Sequence, residues 1–162
     1  MIPHRVADDF LQLVQRGIRS AHELLAFLKQ ENTALTADDL DTFLELAQQK
    51  KEKIAALEAI DRQRAALLQT AGLADDEQGS VAFLSQCSTQ AASLPQQWDE
   101  FLTTLKACQQ QNETNGRMIH ARQHQLQEAL AILRGQFGED GLAYDQQGKP
   151  TKATSTSSIA KA

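Results

Sequence analysis

Valine occurs at only three positions, Val6, Val14 and Val81, and aromatic residues make up 5% of the chain. So little β-branched and aromatic content leaves little that asks for a sheet. No apolar run approaches the length of about eighteen residues that crosses a bilayer, so no membrane insertion is expected. The opening residues, Met1 to Phe10, lack the apolar stretch of a secretion signal. Cysteine is confined to Cys87 and Cys108, and without a signal the expectation is two reduced thiols in a soluble cytoplasmic protein. A basic face is lacking as well. The net charge is −5 and the 16 Lys and Arg residues are scattered, which disfavours nucleic acid as a partner. There is no glycine-rich phosphate loop and no nucleophile elbow, so neither enzymatic activity nor a cofactor is expected.

What the chain has is helix-forming residues, chiefly Ala, Leu, Gln, Glu, Lys and Arg. The longest periodic stretch lies toward the C-terminus. Trp98, Phe101, Leu105, Cys108, Asn112, Gly116, Ile119, Gln123, Leu126, Leu130, Leu133 and Phe137 follow at steps of three or four. Heptad spacing held for about forty residues describes a helix roughly 60 Å long. A helix of that length needs other long helices beside it.

The spacing predicts four helices, at about 3–31, 37–71, 80–92 and 95–136. Phe10, Val14, Gly17, Ala21, Leu24 and Leu28 form the seam of the first, flanked by Leu11, Ile18 and Leu25. Asn32 to Thr36 reads as a connector, and Thr36-Ala-Asp-Asp39 as a capping box. The second helix carries Phe43, Ala47, Ile54, Leu57 and Leu68 on its seam, and Gly72 suits its stop. Ser80 suits the cap of a short third helix. Short connectors make successive long helices antiparallel. The expected fold is all-α: an elongated antiparallel bundle of three long helices and one short one over residues 1–137, as one domain. Residues 138–162 hold glycines and polar residues and too little apolar surface to order, and read as a flexible tail.

Several groupings have a plain and a functional reading. His120 and His124 share a helical face at metal-site spacing, but Arg117 and Arg122 neighbour them, and no metal is expected. Cys87 and Cys108 could pair across helices, though cysteine at apolar-periodic positions is normally a small core residue. Lys50, Asp61 and Arg64 lie at or near the second seam. They are either solvated or intrahelical charges, Asp61 and Arg64 being three apart, or the side of a groove left open for a polar partner. Asn112, Asn115 and Gly116 interrupt the long seam with residues unfavourable there. Either a helix crosses closely at Gly116, or the Asn side chains satisfy backbone groups of a connector, or the segment touches a partner directly.

With these residues in view the chain resembles the FlgN-type flagellar export chaperones. Lys50-x-x-Lys53-Ile54-x-x-Leu57-Glu58-x-x-Asp61-x-x-Arg64-x-x-Leu67-Leu68 resembles their second-helix pattern, and Trp98-x-x-x-Leu102-x-x-Leu105 the start of their long helix. Asn112-x-x-Asn115-Gly116-x-x-Ile119 resembles their most recognisable motif. Tyr144-Asp-Gln-Gln-Gly148 resembles the Tyr-x-x-x-Gly segment after their last helix, with Phe137-Gly-Glu-Asp-Gly141 similar in shape. The matches run in order from about residue 30 to 148. The region from Gly72 to Leu94 matches nothing in particular.

The resemblance implies a cytoplasmic chaperone of flagellar type III export. Its clients would be hook-associated proteins one and three, whose terminal helical segments it would cover before assembly and deliver to the export gate. A client helix could lay its apolar stripe on the distal half of the long helix, at Ile119, Leu126, Leu130, Leu133 and Phe137. The same residues could instead pack against the bundle. The resemblance also implies gate docking at Tyr144 and Gly148. A monomer or weak dimer is expected. The rival expectations are a structural coiled-coil adaptor and a secretion chaperone for a different client.

Overall fold

A computed structural model describes residues 1–87, 89, 91–136, 142–144 and 150–152. It is all-α in class, with three long helices and one shorter one: α1 (His4–Thr36), α2 (Leu40–Thr70), α3 (Glu77–Cys87) and α4 (Leu94–Ala131). A wider, π-type turn covers Ile132–Gln136, and two short strands follow, β1 (Leu142–Tyr144) and β2 (Pro150–Lys152). The chain divides into two compact units, Met1–Gly116 and Arg117–Ala162.

The first unit is built on α1. Every residue of the expected seam, from Phe10 through Val14, Gly17, Ala21 and Leu24 to Leu28, is buried. α2 returns antiparallel, since Lys50 meets Glu31 while the later Lys53 meets the earlier Glu23. α4 then runs parallel to α1: Phe101 lies on Gly17, Cys108 donates to the Ala21 carbonyl and Asn115 to the Leu28 carbonyl. This is the up-down-up order that short connectors dictate. At one end Phe10 gathers Phe83 and Trp98 with ring centroids at 4.4 and 5.8 Å, and Phe101 meets Trp98 edge-on at 5.8 Å. Thus four of the chain's few aromatics seal one end of the core, each pair adding about 0.5–1.5 kcal/mol beyond area burial.

Several boundaries differ from expectation, each for a local reason. Asn32 to Thr36 is helix, not connector. Ala34 and Leu35 continue the buried stripe, and the Thr33 and Thr36 hydroxyls donate back to carbonyls four residues earlier. Asp38 then adopts φ +56°, and the N–H groups of Asp38 and Asp39 close on the Leu35 and Ala34 carbonyls. This is a Schellman stop with aspartate in the place glycine usually takes. The cap of α2 is accordingly Asp39, accepting from the Thr42 amide at 3.1 Å, and not Thr36. Gly72 does end α2, at φ +72°, with Gly72 and Leu73 N–H bonded to Gln69 and Leu68 carbonyls.

The third helix starts earlier than Ser80. Asp76 takes the cap position, accepting from the Gly79 amide at 2.7 Å, and Ser80 is buried inside the first turn. A side chain at Gly79 would run into the Ala74 carbonyl, so the tight entry itself requires glycine there.

On α2, Ile54 is exposed, while Lys50, Lys53 and Arg64 sit half-buried along the inner stripe with Leu46, Leu57, Ile60 and Leu68. The long cationic stems pack and their heads reach acids. Lys53 bonds Glu23 at 3.1 Å and lies 5.5 Å from the centre of the Phe27 ring.

In the second unit the regular α-helix ends at Ala131, short of the expected 136. Gly135 takes φ +80°, which the helix cannot continue through. Within the span expected as tail, β1 and β2 pair antiparallel, with Leu142 opposite Lys152, Ala143 opposite Thr151 and Tyr144 opposite Pro150.

Candidate functional site

The seam interruption resolves into a polar node. Asn115 is 1% exposed. Its Nδ2 donates to the Leu28 carbonyl at 2.8 Å and to Glu31 Oε2 at 3.0 Å. Its Oδ1 accepts from Asn32 Nδ2 and Gln111 Nε2, both at 3.0 Å. All four hydrogen-bonding places of the amide are filled. Glu31, also 1% exposed, receives Lys50 Nζ on both oxygens at 2.9 and 3.2 Å, and the same ammonium reaches Asn112 Oδ1 at 3.4 Å. One buried carboxylate therefore ties α1 to α2 through Lys50 and to α4 through Asn115. A fully satisfied buried network of this kind specifies register between helices.

Asn115 thus satisfies a helix carbonyl and a buried acid, not a connector. Asn112 is exposed, so the buried line of α4 is Phe101, Thr104, Cys108 and Asn115 rather than the line through Asn112 and Gly116. No helix crosses at Gly116: it is exposed, and an added Cβ would meet nothing within 4 Å. The close approach occurs instead at Gly17, where a Cβ would stand 2.8 Å from the Phe101 ring.

Lys50 and Arg64 are not solvated charges: Lys50 pairs with Glu31, and Arg64 makes the intrahelical pair with Asp61 that their spacing allows. Arg64 bonds Asp61 at 2.8 Å, Asp75 at 2.6 Å and Ser80 at 3.3 Å. Partial burial works against its charge, and Asp61 and then Asp75 outweigh that, holding the guanidinium above its ordinary value. Arg64 lines a cleft of about 560 Å³ whose apolar lining includes Leu57 of α2 and Trp98, Phe101 and Leu105 of α4. Such a volume falls within the range of ligand sites. Periodicity had placed these residues on seams. That the seams stand apart here is a property of packing that no single helix records.

The two thiols are free and buried, Cys87 among the aromatics and Cys108 beside Leu24 and Leu28. Burial pushes both up from the ordinary thiol value, which keeps them protonated and unreactive.

Beyond Gly116 the apolar stripe of α4 lies open. Ile119 is half-buried, while Leu126 is 61% exposed and Leu130 40%, and Leu133, in the π-type turn after α4, is 80% exposed. Phe137 and Gly148 lie outside the described residues. Tyr144 ends β1, paired with Pro150. His120 and His124 are exposed, and His124 stands 3.7 Å from Glu128. Among the described residues no cluster of metal-binding side chains occurs, and no helix is long and apolar enough to cross a membrane.

No match was found among curated proteins or among solved structures. The family model described as FlgN protein matches residues 1–152, nearly the whole chain. The chain belongs to the FlgN family.

Proposed function

We propose that this flagellar export chaperone holds the terminal helical segments of hook-associated proteins one and three in the cytoplasm and delivers them to the export gate. Membership of the family supports the general role of export chaperone in flagellum biogenesis. The observation that carries the finer reading is the exposed stripe of Leu126 and Leu130 on α4 and Leu133 in the π-type turn that follows it. Large apolar side chains repeated at steps of three or four and left in water mark a face made for a partner. An amphipathic client helix matches it in the helix-in-groove manner. Capture by apolar burial of an unfolded segment gives binding that is readily reversed, as delivery requires. Ile119 extends the stripe toward the motif, and Phe137 continues it in sequence. Tyr144 and Gly148 are the residues proposed to dock at the gate.

Co-purification tests this. The intact protein is expected to retain hook-associated proteins one and three from a mixture of export substrates. The Leu126→Asp variant is expected to remain folded, within about 0.5 kcal/mol of the parent, and to lose both. Retention of a different export substrate alone would transfer the assignment to that client. A structural adaptor would instead show self-association by sedimentation, with no client retained.

A further inference from the structure

The cleft in the first unit is separate from the stripe on distal α4 and has its own chemistry. Its floor is apolar: Leu13 and Val14 of α1, Leu57 of α2, and Trp98 and Phe101 of α4. Its rim is acidic: Glu58, Asp61, Asp76 and Glu77 line it against the single cation Arg64. That cation is already engaged by Asp61 and Asp75. Among the described residues no ion pair uses Glu58 or Glu77. The wall residue Leu102 is 45% exposed. An apolar trough with uncompensated carboxylates along its edge rejects an acidic occupant by like-charge repulsion and favours a cationic one.

We propose that this cleft is a second docking site, for an amphipathic helix whose apolar face is flanked by Lys or Arg. The Leu and Val side chains of the floor receive the apolar face at i, i+3, i+4 and i+7 spacing. Glu58 and Glu77 meet the flanking cations. The site shares no residue with the client stripe, so substitutions can test the two separately.

Trp98 is the only tryptophan of the chain and lines the cleft, so its emission reports occupancy directly. The probe is a synthetic amphipathic peptide with Leu on one face and Lys on the other, and its counterpart with Glu for Lys. Titrated into the full-length protein, the Lys peptide is expected to shift Trp98 emission saturably. The Glu peptide should bind at least about ten-fold more weakly, and the preference should fall as salt rises. Reversing the rim with Glu58→Lys and Glu77→Lys together should invert the preference, and Leu102→Gln should weaken both peptides. Leu126→Asp should leave the Trp98 response unchanged, which separates this site from the client stripe. Equal affinity for the two peptides, or a preference untouched by the double reversal, would overturn the proposal. So would loss of the Trp98 response in Leu126→Asp.

Discussion

Two glycines on the parallel pair of helices carry opposite meanings. Gly17 is required by the fold, because the flat Phe101 ring stands where a methyl group would go. Helix propensity favours alanine there by about 1 kcal/mol, but overpacking a rigid ring costs roughly 1–3 kcal/mol, so Gly17→Ala is expected to lower the melting temperature. Gly116 faces open space, so Gly116→Ala is expected to stabilise the protein by about 1 kcal/mol in the same thermal assay. The Asn115 node behaves differently. Removing Lys50 strands the buried Glu31 carboxylate, leaving it the uncharged amide of Asn115. Lys50→Ala is expected to cost roughly 2–4 kcal/mol by denaturant unfolding, far more than an exposed lysine elsewhere on α2.

At the scale of elements, helix ends were the part least legible in the sequence. Thr36-Ala-Asp-Asp39 held three residues of capping chemistry, and sequence alone favoured the first of them. The choice fell to Asp39 because Ala34 and Leu35 had apolar surface to bury, which drew α1 onward by a turn. The same competition moved the start of α3 from Ser80 to Glu77, where Asp76 caps and Gly79 clears the Ala74 carbonyl. The Asp39 cap has a pH signature. The Thr42 hydroxyl and amide bonds hold its carboxyl below the usual aspartate value. A lowered folded value means the contribution is complete above the ordinary value near 3.8 and is lost as pH falls through the folded one. Asp39→Ala should therefore destabilise at neutral pH, and the gap between variant and parent melting temperatures should close at acid pH. Every residue read onto the seam of α1 is buried, though Ala7 and Leu13 are buried with them, because a helix buried along one whole stripe prints its period in the sequence. The seam of α2 was misread at Ile54, since Lys50, Lys53 and Arg64 bury their stems while ending in charge.

For the whole molecule, class and helix number were legible, and so was the family. Asn115 is the buried node, and Leu126, Leu130 and Leu133 are open to solvent. The cleft was not legible, because periodicity marks a residue as apolar without saying whether its neighbour arrives. That distinction decides the account: a stripe that packs inside the fold cannot hold a client, and one left open can. Calorimetric titration of the full-length protein with a peptide from the terminal helix of a hook-associated protein tests it most directly. The account predicts saturable binding with a negative heat-capacity change, abolished by Leu126→Asp. No binding by a protein shown to be folded and helical, or binding indifferent to Leu126→Asp, would contradict it.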